Sequence, residues 1–188
     1  MRLFVAIEIP AIIRAEISSL LGEFRALAPD VKWVRAGNLH LTLKFLGETE
    51  VVKCSAIEQS LANILRTHPF TLNFSGLGFF PNAKRPRVFW AGIHSSPDLQ
   101  PLVSEIDSRM SALEFPPEER RFTPHLTLAR ISQPVLPPRL AAAIEANAGR
   151  NFGTCIVTQF HLIESKLKSA GAEYTTLQSF SFVTEADR

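Results

Sequence analysis

Cysteine is scarce in this sequence, and so are most of the features that would commit it to a special compartment. Only Cys54 and Cys155 occur in 188 residues. They form no CxxC or metal-like spacing, and one pair in a chain this long does not make a disulfide scaffold. A reducing cytoplasm is the expected setting. No uncharged apolar stretch approaches the roughly 20 residues that span a bilayer, so no membrane partner is expected. The opening MRLFVAIEIP has one basic residue and a short apolar run before Glu8. It lacks a full signal-peptide core and a small-residue cleavage site, and reads as a first strand. Excess charge is lacking too: 20 Lys and Arg against 18 Asp and Glu leave a formal +2. That permits an anionic substrate but does not by itself predict nucleic-acid binding. What remains is 46% hydrophobic and 20% charged, ordinary for a soluble globular chain. It suffices for one domain, or two small lobes packed closely.

What is present is a repeat. RLFVAI begins at Arg2 and RVFWAGI at Arg87; HLTLKF begins at His40 and HLTLAR at His125. Both pairs are 85 residues apart. A weaker third pair, TLNFSGL with IVTQFHL, sets Leu72 and Leu77 against Val157 and Leu162 at the same offset. The chain therefore reads as a single bilobal domain, 1–188, with repeat units at roughly 1–80 and 86–165.

Period-two alternation marks a strand over 2–9, ended by Pro10, and helical spacing of Ile13, Ile17, Leu20, Leu21 and Phe24 marks a helix from Ala11 to about Leu27. Extended residues 31–46, a helix from about Val51 to Arg66 and a Phe-rich strand over 70–80 follow. The second unit repeats the plan: strand 87–94, helix 98–113, strand 122–130, helix 138–148 and strand 154–163, with Tyr174–Val183 as a possible last strand. Strands interleaved with helices and joined by hairpin-like loops predict an α+β fold with largely antiparallel sheets and a cleft between pseudo-symmetric lobes.

The chemistry lies in the two HLTL motifs. Alternation places His40, Thr42 and Lys44 on one strand face, with Leu41, Leu43 and Phe45 on the other. The second copy places His125 and Thr127 opposite Leu126 and Leu128. Duplication brings the polar faces together, so that two imidazoles and two hydroxyls converge. Opening a cyclic phosphodiester needs one group to deprotonate water and another to protonate the departing oxygen. Histidine suits both roles because its pKa is near neutrality. Thr42 and Thr127 can donate to phosphoryl oxygens. Arg130 can clamp the phosphate bidentately, but only if the strand ends or kinks there, because strict alternation turns it away.

A single HxT on a strand is weak evidence; two copies in register are not. Zinc takes three or four ligands, and no third histidine or carboxylate recurs with the motifs, so no metal is expected. His68, His94 and His161 read as structural. Phe74, Phe79 and Phe80 read as core, with a base-stacking platform as the alternative. Lys84, Arg85 and Arg87 read as a solvated loop, with RNA steering as the alternative.

On these residues the sequence resembles the two-histidine (2H) phosphoesterase superfamily. Within it, the resemblance is to the bacterial and archaeal RNA 2′,3′-cyclic phosphodiesterases, also named 2′-5′ RNA ligases. RLFVAIEIP, VKWVRAGNLHLTLKFLGE, FSGLGFFPNAKRPRVFWAGI, RFTPHLTLARI and LIESKLKSAGAEYTTL carry it nearly end to end. The resemblance implies a bilobal α+β fold with the site between lobes. It also implies hydrolysis of a 2′,3′-cyclic phosphate to a 2′-phosphate without metal or cofactor, and a weak reverse activity joining tRNA halves. The family's histidines fall on His40 and His125, its threonines on Thr42 and Thr127, and its arginine on Arg130. Expected partners are RNA with a cyclic phosphate end, tRNA fragments among them, or small cyclic nucleotides; a monomer is the expected assembly. His125 is the expected base and His40 the acid, although near-symmetry leaves the reverse open. Ligation of tRNA halves as the main activity, or a noncatalytic RNA- or nucleotide-binding module, is the competing reading. No P-loop or similar motif is present to activate RNA ends for ligation.

Overall fold

Apolar residues three and four apart build α1 (Ala11–Leu27), which buries Ile13, Ile17, Leu20, Leu21 and Phe24 along one stripe, the five the spacing predicts. Each such side chain contributes about 1.5–3 kcal/mol when removed from water. The computed structural model describes residues 1–64, 68–95, 97–133, 135–169 and 171–183. Before α1 comes β1 (Arg2–Glu8). After it come β2 (Lys32–Trp33), a 3-10 turn at Ala36–Asn38, β3 (His40–Glu48), α2 (Cys54–Ala62) and β4 (Phe70–Phe80). The second half has β5 (Val88–Ser95), α3 (Leu99–Ala112), β6 (His125–Arg130), α4 (Pro138–Ala146), β7 (Asn151–Val157), β8 (Gln159–Lys168) and β9 (Gly171–Ser181). The helix expected from Val51 starts with a 3-10 turn, Val51–Lys53. Its expected end at Arg66 lies outside the described residues.

Two sheets form, ordered β3-β1-β8-β9 and β2-β6-β5-β4-β7, and every pairing in them is antiparallel. The α+β class and the antiparallel sheets are as the pattern predicts. The lobes, however, are not the two repeats. The first sheet takes β1 and β3 from the first half and β8 and β9 from the end of the chain. The second takes β5 and β6 with β4. Helices cross over as well: Phe24 of α1 packs on Phe89 of β5, 6.0 Å between centroids. Arg109 of α3 donates to the Ser60 and Asn63 carbonyls at the end of α2. One continuous core runs through both halves.

The strand expected over 154–163 is two strands in two sheets. Val157 and Phe160 are both buried, and their odd spacing breaks the two-residue period, so the chain turns at Thr158 into the other sheet.

The 85-residue offset holds for the HLTL strands but not for the first strands. Thr42 lies opposite Ala6, whereas Thr127 lies opposite Trp90, a spacing of 84. By the same matching, Gly78, opposite Trp90, stands in the place of His161, opposite Ala6. A one-residue slip exchanges the two faces of a strand. So Phe89 is core, while Phe4, its counterpart by sequence, lies on the opposite face of its own sheet.

Candidate active site

In β3 the ladder skips Leu43: Ala6 faces Thr42, but Val5 faces Lys44. In β6 it skips Leu128: Trp90 faces Thr127, but Phe89 faces Ala129. The same β-bulge thus occurs twice, at positions 85 apart. An extra residue in one strand reverses the facing of everything after it.

Two sequence expectations change as a result. Lys44 leaves the His40–Thr42 face and shares the side of Leu41, while Phe45, expected on the core side, is 62% exposed. Lys44 is buried and ion-paired with Asp107 of α3, 2.5 Å, and also donates to the Pro116 carbonyl at 2.9 Å. The second bulge supplies the kink that Arg130 required: Arg130 lies opposite Val88, on the face that carries Thr127 opposite Trp90. Strict alternation fails at the residue after each motif because the bulge is a backbone feature with no side-chain signature.

His40, Thr42, His125, Thr127 and Arg130 all line one cleft of about 1380 Å³. The histidines are held alike. Nδ1 of His40 donates to the Asn38 carbonyl at 2.8 Å, and Nδ1 of His125 to the Thr123 carbonyl at 2.7 Å. A carbonyl oxygen only accepts, so Nδ1 carries the hydrogen on both rings and Nε2 is the atom free to exchange a proton. Aromatic rings fix the imidazole planes. Phe4 packs on His40 at 4.7 Å and Tyr174 meets it edge-on at 5.2 Å; Phe80 meets His125 edge-on at 4.9 Å. Phe80 in turn lies against Trp90, 5.3 Å, whose indole lies against Gly78. A Cβ at Gly78 would come within 2.3 Å of that ring.

Burial lowers the pKa of both histidines below the ordinary value, and the hydrogen bond to the backbone carbonyl partly offsets it. Burial also raises the Tyr174 phenol, against which the charges of Arg130 and Arg2 act. Those two guanidiniums, one from each sheet, line the same cleft as Tyr174 and His40. Arg2, Phe4 and Tyr174 are cleft residues that the motifs left unassigned, and Phe80, expected in the core, lines the cleft instead. The two strand openings, RLFVAI and RVFWAGI, were a signal for Arg2; nothing local marked Tyr174.

His161 is buried, with Nδ1 2.9 Å from the Ser179 hydroxyl. Among the described residues no three of His, Cys, Asp and Glu are placed to hold a metal ion, and no helix is long and apolar enough to cross a membrane.

Residues 7–90 and 93–174 match the family described as LigT-like phosphoesterase. An RNA 2′,3′-cyclic phosphodiesterase of Archaeoglobus fulgidus is 34% identical over 180 residues, covering 96% of this chain and 99% of its own. One from Thermus thermophilus is 34% identical over 200 residues, covering 100% and 93%. E. coli LigT, solved in complex with 3′-AMP, is 33% identical with a TM-score of 0.77, covering 97% of this chain and 98% of its own.

Proposed function

The chain belongs to the LigT-like phosphoesterase family, and we propose that it hydrolyses RNA 2′,3′-cyclic phosphate ends to 2′-phosphates, with His40 and His125 as a metal-independent acid–base pair. The observation that carries this reading is the mirrored pair of carbonyl-held imidazoles in one cleft. Identical tautomers leave two Nε2 atoms as proton donor and acceptor for an in-line displacement. The names of the relatives, RNA 2′,3′-cyclic phosphodiesterases, support the substrate class.

In the reaction, water attacks the cyclic phosphorus as one Nε2 takes its proton. The P–O3′ bond breaks, and the other Nε2–H protonates the departing 3′-oxygen. His125 is the base. Its hydrogen bond to the backbone lies exposed, whereas that of His40 is partly buried, so water reaches His125 more readily. Lowered pKa values keep the base neutral near pH 7. The charge of the bound phosphate acts the other way and favours protonation of the acid. Thr42 and Thr127 donate to the phosphoryl oxygens, and Arg130 offsets the charge that builds on them.

The test incubates EDTA-treated protein with an RNA oligonucleotide ending in a 2′,3′-cyclic phosphate, beside the His40→Ala and His125→Ala variants. Conversion to a 2′-phosphate, lost in both variants, is the expected result. No turnover under EDTA with RNA binding retained would refute metal-independent catalysis.

A further inference from the structure

We propose that the lip of the second sheet, formed by Lys32 and the 81–87 turn with Lys84, Arg85 and Arg87, is a track for the RNA backbone upstream of the cyclic end. This rests on the reading of the cleft as an RNA cyclic phosphodiesterase site. It predicts that the protein recognises an RNA chain and not only its terminal nucleotide.

The first observation is the distribution of carboxylates. The chain has 18 acidic residues, yet 59–97 and 120–144 contain none. Those stretches supply β4, β5 and β6, and no strand of the second sheet carries an Asp or Glu. Each strand of the first sheet carries at least one: Glu8, Glu48, Glu164 and Glu173. A chain with a net charge of only +2 has therefore kept carboxylates out of the strands that form one wall of its cleft, which favours an anionic partner there.

The second observation is placement. Lys32 lies opposite Arg130 in the ladder, and Arg130 lies opposite Val88. Lys32 therefore extends the cleft face outward from the phosphate-binding position. Phe80, Pro81, Arg87 and Val88, at the two ends of the turn, line the cleft. The turn itself is ordered. Asn82 Oδ1 accepts from the backbone N–H groups of Lys84 and Arg85 at 3.0 and 3.1 Å, and Arg87 N–H donates to the Phe80 carbonyl at 2.8 Å.

The third observation is pairing. On the facing hairpin Lys166 and Lys168 are neutralised by Glu164 and Glu173. No ion pair involves Lys32, Lys84, Arg85 or Arg87 among the described residues. Unpaired cations in a row are what a phosphodiester chain meets with least competition, and binding there releases counterions. At the opposite end, Arg120 and Arg121 follow Glu118 and Glu119 directly, which weakens that side as a route.

The experiment compares a 2′,3′-cyclic mononucleotide with a decanucleotide ending in the same group, using wild type and the combined variant Lys32→Gln/Lys84→Gln/Arg85→Gln. Mononucleotide kinetics should be unchanged, which also reports that the site is folded. The KM of the oligonucleotide should rise about tenfold or more, and its log–log salt slope should shrink by about 2, for three phosphate contacts at about 0.7 each. Arg85→Glu should raise that KM more than Arg85→Gln does. An unchanged oligonucleotide KM, or an equal rise on both substrates, overturns the track. If wild type turns over neither substrate, the cyclic phosphodiesterase reading fails separately. Anisotropy with a 2′-phosphorylated oligonucleotide then decides the track: weaker binding by the triple variant supports it, and equal binding overturns it.

Discussion

The two walls of the cleft share one device and differ in nearly everything around it. On each, a bulged strand presents His and Thr, and a carbonyl two residues before the histidine holds Nδ1. On the first wall that carbonyl belongs to Asn38, whose side-chain amide also donates to the Ala172 carbonyl at 2.8 Å. His40 is thereby tied to the β8–β9 hairpin that carries Tyr174. On the second wall the carbonyl belongs to Thr123, in an exposed approach to β6. After the first bulge stand Lys44, sunk into an ion pair, and exposed Phe45; after the second stand buried Ala129 and exposed Arg130. The shared parts are what proton transfer needs twice. The parts that differ give a pseudo-symmetric site a direction, because the strands of the second wall carry no carboxylate while the first wall pairs its hairpin lysines with glutamates.

The largest effect should come from separating the histidines. His40→Ala should lose about 10²–10⁴-fold on RNA but far less on a cyclic phosphodiester whose leaving group needs no proton. His125→Ala should lose equally on both. Equal losses for His40→Ala would reject its role as the acid and erase the proposed functional difference between the walls.

Asp107 tests the buried pair that, among the described residues, belongs to the first wall alone. Its side chain is 26% exposed against 4% for Lys44, and Asp107→Ala strands the lysine. Urea unfolding should report a loss of about 3 kcal/mol. Lys44→Met combined with Asp107→Leu should recover much of it, since Ala129 serves the matching position without charge. A loss below about 1 kcal/mol would show that the pair does not hold β3 to α3.

A smaller contrast concerns the anchors. Asn38→Ala removes the amide that ties the hairpin but leaves the carbonyl, and should lower kcat about tenfold, equivalent to about 1.4 kcal/mol, at the upper end of one net hydrogen bond. Thr123→Ala should be near wild type, because Thr123 contributes only backbone to His125. Similar kcat values for the two variants would dismiss the hairpin as a positioning element.

Smallest is the pH effect, and it should not distinguish the walls. His40, His125 and His161 all have native pKa values lowered chiefly by burial. Folding therefore favours their neutral forms. The stability this contributes is present above about pH 6.5, the unfolded value, and is lost as pH falls through the native values. Tm should decline on acidification below that point, and a flat Tm from pH 7 to 5 would contradict the lowered values.

Much of this was legible in local pattern. The stripe Ile13 to Phe24 specified α1 because helix burial follows a 3.6-residue period, and the repeated HLTL marked the candidate histidines and threonines because leucines and polar residues separate cleanly on a strand. The carboxylate-free stretches around the second motif were also open to reading in the chain. The facing of Lys44, Phe45 and Arg130 was not, since each depends on a bulge set by pairing with a distant strand. Nor was the one-residue slip of the first strands, or the splitting of 154–163 between two sheets.

By itself, the sequence determined where most helices and strands form, which side chains are candidates for the chemistry and that the unit occurs twice, because these follow from periodicity and side-chain type within a few residues. Tertiary structure alone decided how the halves interlock, which way each strand turns after its bulge and that Tyr174 meets His40. Those outcomes rest on hydrogen-bond registers and packing between segments far apart in the chain, where a shift of one residue reverses a face.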